Sequence, residues 1–305
     1  MLRLPALLLA CLLLAVPSQS QTYQVIHNFA LNDGASPYAG PTLDQDGNLY
    51  GTTYLGGPTG NGSVYRLARS GSSWTFTRLY SFRGGADGSG PAFGSLVLGP
   101  KRELFGTTES GGSFGTAFVV RPRCPAFHCQ WTENVVHTFG TGTDGAQPIG
   151  GLVLDSAGNF YGTTSLGGTL GNGTVFEGKR SGTSWTESLI YNFTGGTDGA
   201  NPPAGVTLGP DGSLYGTSSF GGANFAGNIY KLTRSGSGWV QTVLYNFQGL
   251  DDGQNPVGGV ILDKSGNLYG GTFSGGANGG GTVSVITCWE ADRVIQLPRV
   301  PGRCV

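Results

Sequence analysis

The chain has 305 residues, 57 of them glycine, with only 11% charged residues and a formal net charge of -1. No stripe of Lys or Arg offers a footprint for phosphate backbones or anionic lipid, so nucleic acid is not an expected partner. Aromatic residues at 11%, together with glycines that recur at a fixed period, exclude disorder and point to short strands joined by tight turns.

At the N-terminus, Arg3 precedes an apolar run from Leu4 to Val16, followed by Pro17 and Ser18-Gln19-Ser20. The run is shorter than the roughly 20 residues that span a bilayer. It predicts a cleaved secretory signal over residues 1–20. A mature chain without a transmembrane span, at a secreted, cell-surface or periplasmic address, follows from it. Leu8-Leu9-Ala10-Cys11 also makes a loose lipobox, which would leave the apolar residues after the cysteine without a use.

The next segment, Val25-Ile26-His27-Asn28-Phe29, matches Leu189-Ile190-Tyr191-Asn192-Phe193 and Val243-Leu244-Tyr245-Asn246-Phe247 far downstream. Between them lies a repeat. Leu49-Tyr50-Gly51-Thr52-Thr53 returns, lightly edited, around Phe105, Tyr161, Tyr215 and Tyr269, at spacings of 55, 56, 54 and 54 residues. In the third copy a short run at Gly151 to Leu154 leads through an Asp155 turn to a strand at Phe160 to Thr164. A glycine loop then leads to Thr174-Val175-Phe176, and Ser181 to Ser184 turn the chain into Trp185 to Phe193.

Four antiparallel strands in about 54 residues is the content of one propeller blade. The expected fold is therefore an all-β, five-bladed β-propeller over residues 21–286, with four strands per blade. The last copy runs out after its third strand at Thr282 to Ile286. The orphan segment Val25 to Phe29 is expected to supply the missing outer strand and close the ring.

Residues 287–305 match no other copy. They read either as a cap pinned by Cys288 and Cys304 or as the product of a shifted reading frame that cut short a longer array. With Cys11 removed, Cys124, Cys129, Cys288 and Cys304 remain, and an even count in an exported chain favours disulfides. Cys124 and Cys129 bracket the one long departure in the second copy, where a local bridge would brace the loop. A metal site using His128 lacks a fourth ligand.

Every copy carries Asp-Gly, two residues and Pro, beginning at Asp33, Asp87, Asp144, Asp198 and Asp252. In the blade reading these loops share a face of the disc with the residues after the second strand. Five carboxylates around a channel mouth would suit a cation or a polyhydroxylated ligand. Strict repetition favours a second reading, in which each Asp accepts N–H bonds inside its own turn. The Asp44, Asp155 and Asp263 turns lack the bidentate Glu of a calcium loop. The Ser-Gly-x-x-Trp stretches at Trp74, Trp185 and Trp239 suggest blade scaffolding. His27 and His137 fill slots taken elsewhere by Tyr80, Tyr191 and Tyr245. No nucleophile with a base and an orienting acid can be assembled.

These motifs, Asp-Gly-x-x-Pro, Gly-Asn-Leu-Tyr-Gly-Thr-Thr, Gly-Gly and Gly-Thr-Val-Phe in order, resemble the GloVer tandem repeat of exported bacterial proteins from about Tyr23 to Val285. The resemblance implies an exported repeat protein and carries no enzymatic activity with it. The reading that follows is a non-catalytic binding or scaffold module that needs no cofactor. Its expected partner is a surface glycan or an extracellular protein, met by Tyr54, Glu109, Phe220 and Phe273 beside the five Asp residues. Two alternatives stand beside it: a carbohydrate-active enzyme with Glu109 as its acid, and a purely structural envelope component.

Overall fold

The computed structural model describes residues 22–91, 93–124, 129–140 and 142–287. The leader, His128, Cys288, Cys304 and the rest of the tail lie outside these. Blade 1 is β1 (Thr42–Leu43), β2 (Leu49–Thr53), β3 (Ser63–Ser70) and β4 (Ser73–Ser81). Blade 2 is β5 (Val97–Leu98), β6 (Leu104–Thr108), β7 (Thr116–Pro122) and β8 (Trp131–Thr138). Blade 3 is β9 (Val153–Leu154), β10 (Phe160–Thr164), β11 (Thr174–Ser181) and β12 (Ser184–Asn192). Blade 4 is β13 (Thr207–Leu208), β14 (Leu214–Ser218), β15 (Asn228–Ser235) and β16 (Gly238–Asn246). Blade 5 is β17 (Ile261–Leu262), β18 (Leu268–Thr272) and β19 (Thr282–Ile286). Each sheet is antiparallel with its strands side by side in chain order, and the five sheets form a β-propeller.

The apolar core is divided among the seams, with one cluster between each pair of consecutive blades. The repeated sequence explains why. A ring on the third strand of blades 1 to 4 (Tyr65, Phe118, Phe176, Tyr230) lies over the glycine of the facing second strand. A Cβ on Gly51, Gly106, Gly162 or Gly216 would come closer than 3.0 Å to that ring. The same ring receives a phenylalanine from the end of the preceding blade. Phe82 meets Phe118 at 5.0 Å, Phe139 meets Phe176 at 4.9 Å and Phe193 meets Tyr230 at 5.1 Å, all edge to face. A bulge in each fourth strand, opposite Val64/Tyr65 and its equivalents, buries Leu79 while aiming Tyr80 at the next loop.

Both threonines of the repeat are used. In the second to fourth copies the first reaches the next blade, as in Thr107 to the Gly150 carbonyl at 3.0 Å and Thr163 to the Ala204 carbonyl at 2.8 Å. The second bonds across its own sheet, as in Thr108 to Thr116 at 2.9 Å. The tryptophans complete the seams. Trp185 lies 5.4 Å from Phe105, with Arg180 over its ring and paired to Glu103 of blade 2. Trp239, Tyr161, Arg234 and Glu177 repeat this clamp one seam on. Trp131, facing Tyr50, is the blade 2 copy that the cysteine loop hides in the sequence.

The expected ring closure is corrected here. Residues 22–30 form no strand, and the fifth sheet has three strands, with β19 paired only to β18. The N-terminal segment packs on blade 1 instead: His27 stacks on Phe76 at 4.5 Å and Phe29 meets Tyr65 edge to face at 5.0 Å. Phe29 thus takes the slot over a third-strand ring that Phe82, Phe139 and Phe193 take in the other blades. Blade 5 has no ring to offer, since Ser284 stands where Tyr65, Phe118, Phe176 and Tyr230 stand. Its Val283 is 91% exposed, whereas the equivalent Val64 and Val175 are fully buried.

Replacing Gly162 by Ala is expected to lower stability by about 1–3 kcal/mol through overpacking against Phe176. Gly270→Ala, where only Val260 approaches, is expected to cost far less, and urea denaturation of the two variants tests the difference.

Candidate functional site

The Asp-Gly-x-x-Pro loops are braced from within. Each carboxylate is bonded by the side chain seven residues earlier on the preceding outer strand or, for Asp33, by the side chain six residues earlier on the N-terminal segment. Tyr80 donates to Asp87 at 2.6 Å, Tyr191 to Asp198 at 3.0 Å and Tyr245 to Asp252 at 2.8 Å. His137 meets Asp144 at 2.9 Å and His27 meets Asp33 at 3.2 Å. Backbone N–H groups of Ala30, Arg83, Gly140, Thr194 and Gln248 bond the same five carboxylates. Burial, and after it the bond to Asp252, pushes the Tyr245 phenol up to about 12, so it stays a donor at any working pH. The carboxylates therefore lie beside the outer strands, each spent on its own turn. Among the described residues no three acidic, histidine or cysteine side chains gather into a cation site.

The residue before the proline is the second brace. Ser36, Gly90, Gln147, Asn201 and Asn255 are all left-handed, with φ between 50° and 61°. For the four that are not glycine this conformation is costly. It is held by bonds on both sides. The Gln147 N–H donates to the Phe114 carbonyl of blade 2, while its own carbonyl accepts from Ser165 at the end of β10. Asn201 and Asn255 do the same at the next two seams. These bonds fix the positions of Tyr54, Glu109, Ser165, Ser219 and Phe273, the variable residues of this face.

Two of those residues meet. The Tyr54 hydroxyl donates to Glu109 Oε2 at 3.1 Å, across the seam between blades 1 and 2, and the Glu109 charge raises the Tyr54 phenol above its ordinary value. Gly90 leaves room for the Tyr54 ring, which a Cβ there would touch at 2.7 Å. Beside the pair, Tyr38 stacks on Phe93 with centroids 5.6 Å apart and planes 20° from parallel, and lies 5.5 Å from Tyr54. Tyr38 is 58% and Phe93 59% exposed. Tyr38 and Phe93, both missed in the sequence, follow the loop prolines at different offsets in their copies. Phe220 and Phe273 are exposed on blades 4 and 5 and make no ring contact with this cluster.

Two further acidic residues are absent from the sequence expectation. Glu133 on β8 and Glu187 on β12 each face the preceding blade with one carboxylate oxygen buried and unbonded. Glu133 borders a groove of about 970 Å³ between β4 and β8, near the Cys124–Cys129 disulfide, which forms as expected. No helix among the described residues is long and apolar enough to cross a membrane.

The Gloeobacter/Verrucomicrobia repeat model matches residues 13–186 and 181–293. The chain belongs to this repeat family. No curated protein sequence matches it. Among solved structures it is similar to a Bacteroides uniformis protein provisionally assigned as a 6-phosphogluconolactonase. That match is 13% identical over 84% of this chain and 68% of the other, with a TM-score of 0.55. It is also similar to a PL25 ulvan lyase holding a GlcA(1-4)Rha3S unit, at 13% identity over 86% of this chain and 70% of the other, with a TM-score of 0.50. An endo-arabinase from Bacteroides thetaiotaomicron matches at 15% identity over 86% and 97%, with a TM-score of 0.43. At such identities the likeness is one of fold.

An Asp198→Ala variant is expected to lose about 1–3 kcal/mol, the range for a charged acceptor removed from its donors. Thermal denaturation checks this, and an unchanged melting temperature would mean the brace carries no load.

Proposed function

We propose that this protein is an exported, non-catalytic propeller that binds a glycan on its loop face, through the Tyr38–Phe93 stack and the Tyr54–Glu109 pair. The observation that carries the reading is two large rings left more than half exposed, in a stack, beside a fixed hydroxyl–carboxylate pair. Exposed parallel rings offer flat apolar area to the C–H faces of a sugar, and an oriented carboxylate accepts from its hydroxyls. The braced loops add to this, because a surface ordered before binding loses less freedom when a ligand arrives. The Cys124–Cys129 disulfide supports an oxidising address outside the cytoplasm. Carbohydrate-active propellers among the fold neighbours are compatible with a sugar ligand.

Phe220 and Phe273 would then extend the contact to longer chains. Tyr38→Ala with Phe93→Ala is expected to remove about 0.5–1.5 kcal/mol per ring, roughly two- to tenfold each in Kd. Affinity electrophoresis against a polysaccharide panel reads this out. Phe220→Ala and Phe273→Ala are expected to weaken only the retention of long chains. Full retention in the double ring variant contradicts the proposal.

A second reading, a carbohydrate-active enzyme, rests on the half-buried Glu109 beside that stack. It requires turnover on such a panel that Glu109→Gln abolishes.

A further inference from the structure

Strand register places Phe76, Glu133, Glu187 and Gln241 at one equivalent position on the fourth strands, opposite Leu67, Val120, Gly178 and Leu232. The position faces the Tyr–Asp or His–Asp brace of the segment before it. Phe76 stacks there on His27. Gln241 donates its amide to the Asp198 carbonyl at 3.0 Å and so ties blade 4 to blade 3. Glu133 and Glu187 stand in the same place, each with a buried oxygen that has no partner. An ionised carboxylate has no proton to give to a carbonyl oxygen, whereas a protonated one donates as the amide does.

We propose that Glu133 and Glu187 are proton-operated latches of the seams between blades 1 and 2 and between blades 2 and 3, closed when protonated and loosened when ionised. Protonated, each can donate across its seam as Gln241 does. Ionised, each leaves a charge in a partly buried seam beside another carboxylate. The groups facing Glu133 are Tyr80, Asp87 and Arg83, with Arg78 and Arg123 along the same groove. Those facing Glu187 are His137 and Asp144. Burial, and then the Asp87 charge, raises Glu133 to about 7, with the Arg83 charge and a bond from Tyr80 opposing. Burial raises Glu187, with His137 opposing and Asp144 adding.

The sign follows from linkage. Both groups bind protons more tightly folded than unfolded, so their contribution is full below the ordinary glutamate range and lost as pH rises through the folded value. If the loop-face glycan reading above holds, this reaches the ligand, because Tyr38 and Tyr54 come from blade 1 and Phe93 and Glu109 from blade 2.

Thermal denaturation from pH 5.5 to pH 8 tests the latches without any ligand. The wild-type melting temperature is expected to fall relative to that of Glu133→Gln with Glu187→Gln, by on the order of 2–4 °C per seam. Glu133→Gln alone gives an arm free of His137. Gln241→Glu, at a seam that folds with the amide, is expected to add a new fall of the same sign. Parallel curves for wild type and the Gln variants, or no added slope in Gln241→Glu, overturn the proposal. Retention on polysaccharide is measured separately at the two pH values. Latches that pass the thermal test with pH-independent retention would count against the loop-face reading and leave the latches standing.

Discussion

The structure depends on one arrangement repeated at the three seams from blade 1 to blade 4: an aromatic ring on the third strand lies over a glycine of the second and receives the phenylalanine that ends the preceding blade. The glycine sets how close the ring can lie, and the incoming phenylalanine sets where the next sheet must stand. Short blades of this kind bury little by themselves, so the apolar core is found between sheets rather than within them. The threonine bonds and the arginine–tryptophan clamps follow the same seams. Blade 5 carries Ser284 in place of the ring, and its Val283 and Val285, on the other face of the strand where Val64 and Val175 meet a following blade, are exposed.

A repeat fixed this tightly separates structural residues from the rest. The five loop aspartates are identical in every copy and each is taken up by its own turn. The residues that vary at a constant backbone position are the ones free to serve a ligand. Tyr54 and Glu109 vary in this way, and the aromatic stack stands beside them. Glu133 and Glu187 vary too, at the seams rather than on the face. Variation within a repeat is therefore a better guide to the proposed site than its most regular motif.

Much of the architecture is legible in the sequence, because the period is carried by residues whose geometry is local: Gly162 under Phe176, Asp155 in its hairpin, the Asp-Gly loops. The preference for turn bracing over a carboxylate ring is legible for the same reason. The strand-like match of Val25 to Phe29 misleads because it records the packing of Phe29 on Tyr65, which a fourth strand and an unpaired segment satisfy equally well. The Tyr38–Phe93 stack is hidden because its two members sit one and two residues after their prolines. Glu133 is hidden because its equivalence to Gln241 appears only once the bulge and the cysteine loop have been placed in register.

A double-mutant cycle on Phe193 and Tyr230, one ring from blade 3 and the other from blade 4, tests the seam most directly. The account predicts a coupling of about 0.5–1.5 kcal/mol between Phe193→Leu and Tyr230→Leu. Strictly additive losses of stability would contradict it.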